Sequence, residues 1–200
     1  MTRLALIDAG GANFGSVCYA LERLGVTPCI VRDADGLRDA QRIILPGVGA
    51  AAPAMALLHQ RGLFDALRAT RVPLLGICLG MQLLFEGSDE GGVDCLGLLR
   101  GRVRKLRGGP GVRVPHMGWN TLERVRASPL LEGIDAASSA YFVHGYAAPV
   151  TADCLAACTH GERFAAMARR GNVAGAQFHP ERSAAVGARL LANFLRWSGT

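Results

Sequence analysis

The chain has 200 residues, half of them hydrophobic and 19% charged, with a formal net charge of +6. That length suits one domain spanning residues 1–200 with a full core, and the composition excludes a disordered chain. No apolar run is long enough for a membrane span, and Leu4–Ile7 is too short for a signal-peptide core, so the expected compartment is the cytoplasm. In chain order, Leu4–Ile7 reads as a strand ending at Asp8. The Gly-rich stretch DAGGANFG leads into a helix through Val17, Ala20, Leu21 and Leu24, stopped by Gly25. Cys29–Val31 and Ile43–Leu45 read as the next strands, the latter stopped by Pro46-Gly47; Ala54–Ala69 reads as a helix and Pro73–Ile77 as a fourth strand. Short, wholly apolar strands alternating with helices predict a mostly parallel sheet covered on both faces. Beyond residue 95 the segments shorten. Val112–Val114, Ala140–Val143 and Val173–Phe178 read as strands added antiparallel to the first sheet, and Ala184–Trp197 as a final helix.

Several function classes are disfavoured. The six cysteines form no CxxC pair, and Cys154 and Cys158 lack matching partners for zinc, so free thiols are expected. DAGGANFG is a poor dinucleotide fingerprint, and no GxxxxGK[ST] occurs. The basic run RGRVRKLR (residues 100–107) has no interleaved aromatics to stack on bases, and its alternation suits a strand with one wet face.

The informative segment is Leu74-Leu75-Gly76-Ile77-Cys78-Leu79-Gly80-Met81-Gln82. Gly76 and Gly80 flank Cys78 as G-x-C-x-G, the thiol version of the nucleophile elbow, in which a sharp strand-to-helix turn demands small residues on both sides. A helix N-terminus there favours thiolate, and the Leu79 N–H points toward any oxyanion formed. A nucleophilic cysteine needs a base. His179, in Gln177-Phe178-His179-Pro180-Glu181 just beyond a strand, is the best candidate, with Glu181 able to fix its tautomer. The turn Pro46-Gly47-Val48-Gly49 is flexible enough to offer Val48 N–H as a second oxyanion donor.

Together GICLGMQ, QFHPE and LPGVG resemble the class I, triad-type glutamine amidotransferases. PHMGWN (115–120), YFVHGY (141–146) and PGVG are similar, more closely, to the family of glutaminase subunits of imidazole glycerol phosphate synthase. The likeness runs from Leu6 to the final helix. It implies a flavodoxin-like α/β domain, a mixed sheet flanked by helices. It implies a Cys78–His179–Glu181 triad forming a thioester with L-glutamine, an oxyanion hole at Val48 and Leu79, and no cofactor or metal. It implies that Gly49, Gln82, Glu90, Gly145 and Tyr146 hold the glutamine. It also implies a heterodimer with a (β/α)8 cyclase subunit that takes the ammonia in histidine biosynthesis, met by Asn13, Trp119, Asn120, Tyr141 and Arg182. Three positions depart from the family pattern: Gly15 stands where an arginine is usual, Gly145 where a serine is, and Arg182 where a lysine is. A cysteine peptidase on the same elbow has no use for PHMGWN or YFVHGY, and a non-enzymatic module has no need of an intact triad.

Overall fold

The computed structural model of the chain describes residues 3–8 and 14–200. The first half alternates as expected. β1 (Leu4–Ile7) is buried along its whole length, and α1 (Phe14–Glu22) buries Val17, Ala20 and Leu21. β2 (Cys29–Val31), β3 (Arg42–Gly47), α2 (Ala51–Gln60), α3 (Leu63–Ala69), β4 (Leu74–Cys78) and the single turn α4 (Leu79–Gln82) follow. The second half supplies β5 (Gly87–Ser88), β6 (Val93–Asp94), β7 (Arg102–Lys105), β8 (His116–Thr121), β9 (Glu123–Arg124), β10 (Ser139–His144) and β11 (Tyr146–Ala147). The hairpin β12 (Cys154–His160)–β13 (Glu162–Arg170), then β14 (Val173–Ala176) and α5 (Ala184–Arg196), complete the chain.

The main sheet has eight strands in the order β2-β1-β3-β4-β14-β13-β12-β9. The five from β2 to β14 run parallel, and β13, β12 and β9 extend the sheet antiparallel. One face packs Val17, Leu21, Phe142, Phe178 and Phe194; the other packs Met55, Leu58, Leu63, Leu67 and Phe85. Two smaller sheets sit beside it, β10–β8 and β11-β7-β5-β6. The register sets Gly47 opposite Cys78 and Ala176 opposite Ile77. Val48, Cys78 and the segment 177–179 therefore emerge together at the carboxyl edge of the parallel strands, where open α/β sheets bind their ligands.

Five expectations are corrected. Val173–Phe178 and Ala140–Val143 are not antiparallel additions to the first sheet: β14 runs parallel to β4 inside it, and β10 pairs with β8 in a two-stranded sheet of its own. The helix expected over 54–69 is two helices, parted at Gly62, which adopts φ +65°. β3 is not stopped by Pro46-Gly47 but runs through them. Its pairing with β1 reaches only Ile44, so beyond that point only β4 lies alongside and the missing proline N–H breaks no ladder on the β1 side. Val112–Val114 is not a strand; Val112 makes an isolated bridge to Gly109, and β8 begins after Pro115. The β12–β13 hairpin has no counterpart in the sequence reading. Its cores, Cys154-Leu155-Ala156-Ala157-Cys158 and Phe164-Ala165-Ala166-Met167-Ala168, are buried on both faces, so no alternation marks them. The basic run does form a strand, β7, with Val103 buried and Arg104 and Lys105 exposed. All six cysteines are free. Among the described residues no helix is long and apolar enough to cross a membrane.

Backbone meets backbone closely where α4 lies across β3 and β4. A methyl group on Gly80 would overlap the Leu45 carbonyl, and one on Gly76 would come within 2.6 Å of the Gly80 carbonyl oxygen. Both obstacles are backbone and cannot rotate away. Gly80→Ala is expected to lower the unfolding free energy by roughly 3 kcal/mol or more, whereas Gly109→Ala, in open space, stays within about 0.5 kcal/mol of wild type. Urea unfolding midpoints of the two variants measure the difference.

Candidate active site

Cys78 ends β4 with φ 54° and ψ −112°, a conformation that costs on the order of 1–3 kcal/mol for a residue with a Cβ. The turn lifts its side chain off the sheet toward β10. As a thiol, Cys78 Sγ donates to the Val143 carbonyl at 3.7 Å, and buried Gln177 approaches it through Nε2 at 3.9 Å. The helix expected after Cys78 is a single turn, so its dipole is that of one turn only, and the positive charge at hand belongs to His179.

His179 lies three residues beyond the end of the β14 ladder, and its backbone is pinned on both sides. Its N–H donates to the Tyr141 carbonyl at 2.9 Å, and its carbonyl accepts from Ser183 Oγ at 2.7 Å. Ser183 Oγ in turn accepts from the Tyr141 N–H at 2.9 Å. Pro180 opens a short 3-10 turn over Pro180–Arg182, which swings Glu181 back under the ring it follows. His179 Nδ1 meets Glu181 Oε1 at 2.8 Å, and the Glu181 side chain has no exposed surface. The ring is also hydrogen bonded to Cys78. Burial lowers the His179 pKa, but the bonds to Cys78 and Glu181 and their negative charges more than reverse that, raising it from 6.5 to about 10. The ring lies between a sulfur and a buried carboxylate, surroundings that favour its protonated form.

These groups face a cleft of about 190 Å³. Val48 and Leu79, the two expected oxyanion donors, line it. So do Gly49, Gln82, Glu90, Gly145 and Tyr146, all five of the residues expected to hold glutamine. Gln82 Nε2 donates to the Tyr146 carbonyl at 2.8 Å and to Gln177 Oε1 at 3.0 Å. Glu90 is partly committed: its Oε2 accepts from the Ala51 N–H at 2.9 Å, capping α2 and leaving its second oxygen for a cationic ligand group. Nothing obstructs a side chain at Gly145, where an added methyl would meet only Val114 at 3.9 Å.

The residues expected at a partner face lie on neighbouring strands. Trp119 is 55% exposed and stands edge-on to Tyr141 at 5.9 Å, with exposed Met117 alongside on β8. Asn120 shares β8, and Arg182, exposed, is the last residue of the 3-10 turn. Asn13 lies outside the described residues. Sequence reasoning assigned no role to Gln177, His116 and His144, although each sits in a quoted motif. Gln177 contacts Cys78, and His116 Nδ1 meets His144 Nε2 at 3.1 Å. Burial, with repulsion from His160, lowers the His116 pKa to about 4. Burial lowers that of His144 to about 3, against the opposing pull of the Tyr146 carbonyl.

The family model "Glutamine amidotransferase class-I" matches residues 5–197. The chain is 65% identical over 198 residues, 99% of each chain, to a protein of Xanthomonas euvesicatoria pv. vesicatoria named imidazole glycerol phosphate synthase subunit HisH. A protein of the same name from Xylella fastidiosa is 62% identical over 195 residues, 98% of each chain. A crystal structure of a glutamine amidotransferase superposes with a TM-score of 0.75 at 24% identity, covering 96% of this chain and 97% of that one. The structure titled PurLQS from Thermotoga maritima superposes with a TM-score of 0.71 at 23% identity, covering 98% and 99%.

The signs of the pKa shifts give a pH dependence. His179 is raised, so the stability it contributes is complete below pH 6.5 and is lost as the pH climbs toward about 10. His116 and His144 are lowered, so their contribution is complete above pH 6.5 and is lost as the pH falls toward about 4 and 3. In Glu181→Gln the His179 titration, followed by NMR, is expected to fall by roughly one to two pH units. The alkaline loss of stability in urea unfolding should then be smaller and end at a lower pH. An unmoved His179 titration contradicts the pairing.

Proposed function

The chain belongs to the class-I glutamine amidotransferase family, with the HisH subunits of imidazole glycerol phosphate synthase, and on that premise we propose that Cys78, His179 and Glu181 hydrolyse L-glutamine. The function is that of the glutamine amidotransferase subunit in histidine biosynthesis, carried by one domain of residues 1–200 in the cytoplasm. Cys78 Sγ attacks the side-chain amide carbon. The oxyanion that forms is held by the backbone N–H groups of Val48 and Leu79. The His179 imidazolium gives its proton to the departing nitrogen, the C–N bond breaks, and ammonia leaves a thioester on Cys78. His179, now neutral, takes a proton from water as the water attacks the thioester. The C–S bond breaks, and glutamate leaves with the charge pair restored. Glu181 keeps Nδ1 protonated and the ring aimed throughout.

The single observation that carries this reading is the sharing of one cleft by the His179-paired thiol and all seven residues expected around a bound glutamine. The α-ammonium of glutamine suits the second oxygen of Glu90. The Gly145–Tyr146 backbone and Gln82 suit the remaining polar groups.

The ammonia goes to a cyclase subunit docked on the Trp119–Tyr141 face, which joins it to a phosphorylated ribulosyl-formimino aminoimidazole substrate. Imidazole glycerol phosphate and an aminoimidazole carboxamide ribotide result. In support of that docking face, Trp119 and Met117 are large apolar side chains left open to solvent.

Cys78→Ala should abolish glutamine hydrolysis, a loss on the order of 10⁴-fold or more, while ammonia-dependent synthesis by the assembled complex continues. Glutamate production by the variant would refute the nucleophile. Val48 lies past the last β3–β4 pair, Gly47 with Cys78, so its peptide is not fixed by the ladder. The isolated chain is therefore expected to turn over glutamine slowly and to accelerate when the cyclase and its acceptor substrate are added. Equal turnover with and without them would count against that role for Val48.

A further inference from the structure

We propose that His116 and His144 form a neutral relay, each ring protonated at Nδ1, that positions the Tyr146 carbonyl against Gln82 in the glutamine cleft and ties it to Asn120, next to Trp119 on β8. One atom dictates the chain. The Tyr146 carbonyl oxygen can only accept, and His144 Nδ1 lies 2.8 Å from it, so that nitrogen carries the proton. A neutral ring then leaves His144 Nε2 as an acceptor, filled by His116 Nδ1–H at 3.1 Å. His116 Nε2 must accept in turn, and Asn120 Nδ2 stands 3.2 Å away. The other hydrogen of that amide goes to the Thr159 carbonyl at 2.9 Å, and its Oδ1 accepts from the Thr121 N–H at 2.8 Å, so the amide can face only one way. His116 is held flat between Phe142 and His160, with ring centroids 4.9 and 4.1 Å away. Burial of both rings, 4% and 6% exposed, favours the neutral form that the relay needs.

The far side of the same carbonyl faces the substrate. Tyr146 O also accepts from Gln82 Nε2 at 2.8 Å, and the second hydrogen of Gln82 is taken by Gln177 Oε1 at 3.0 Å. With both hydrogens committed, Gln82 presents its oxygen as the remaining polar atom, an acceptor for glutamine. His144 holds the carbonyl from one side and Gln82 reads it from the other. The two histidines are thus positioning residues, acting on substrate binding through Tyr146 and Gln82.

The expected kinetics rest on the glutaminase reading above; the tautomers do not, and this separates the two. Two-bond ¹H–¹⁵N correlation spectra of the full chain at neutral pH should find both rings protonated at Nδ1 and bare at Nε2. Either ring protonated at Nε2 overturns the relay, whatever the chain does to glutamine. Glutamine kinetics of the assembled complex then test its effect. His144→Asn keeps a donor where Nδ1 was, whereas His144→Gln and His144→Leu do not. The Gln and Leu variants should raise KM for glutamine about three- to tenfold, the worth of one neutral hydrogen bond, with kcat and the rate of Cys78 alkylation by iodoacetamide little changed. His144→Asn should stay within about twofold of wild type. If Asn is impaired as much as Leu, the ring acts by packing alone and the proposal fails. It fails equally if kcat falls while KM holds. A wild-type complex that does not hydrolyse glutamine would instead sink the glutaminase reading.

Discussion

Backbone pressed against backbone, where α4 crosses β3 and β4, is the constraint on which the site depends. Gly80 sits so close to the Leu45 carbonyl, and Gly76 to the Gly80 carbonyl, that no side chain fits at either position. That proximity forces the chain to reverse within one residue, and the residue at the reversal is Cys78, with a positive φ unfavourable to it. β4 can hold such a residue because all five of its positions are buried and it is paired on both sides. The same crossing puts Leu79, at the start of α4, and Val48, just past the end of β3, in one cleft with Cys78. Nucleophile, expected oxyanion donors and sheet edge are consequences of one packing contact.

The strand β10 supplies the rest, and it does so largely through its backbone. Tyr141 fixes both His179 and Ser183 with its carbonyl and N–H, Val143 offers its carbonyl to Cys78, and His144 reaches Tyr146. Alternation along the strand separates the tasks. Phe142 and His144 point into the core while Tyr141 and Val143 are half-buried on the other face, Tyr141 against Trp119. A partner pressing on Trp119 and Tyr141 therefore bears on the strand whose backbone aims the base. The path from that face to the site is a few covalent bonds and hydrogen bonds long.

Legibility in the sequence followed the kind of physics involved. The elbow was readable because close backbone approach selects glycine, and two glycines about one cysteine leave few alternatives. His179 and Glu181 were readable because proline between a histidine and a carboxylate fixes a turn. Strands β1 and β2 were readable at their true bounds because short, wholly apolar runs mark parallel strands, although only β1 is buried throughout and β2, at the sheet edge, buries Val31 alone. The β12–β13 hairpin was not, since alanine-rich segments buried on both faces carry neither alternation nor strand propensity. The break at Gly62 was hidden within a continuous helical pattern. Gln177 and the pair His116–His144 could not be found from sequence because their roles depend on three separate strands meeting. The only available signal was that each belongs to a motif whose other members had been assigned.

The two kinds of histidine beside the cleft differ in what accepts from them, and this difference organises the electrostatics. Both His144 and His179 donate from Nδ1 to an oxygen at 2.8 Å. For His179 that oxygen belongs to a buried carboxylate and the ring also faces a sulfur, so a positive charge is compensated and the proton is retained. For His144 it belongs to a carbonyl, whose dipole orients the ring but cannot offset the loss of solvent, so the ring stays neutral. A charge on His144 would also repel that on His179, which is among the forces lowering its pKa. Neutrality in the relay thus leaves His179 as the single cation among the three rings, set against the sulfur. Acid strength is concentrated where a proton must be given to a leaving amine, and hydrogen-bond geometry alone is used where a substrate must only be held.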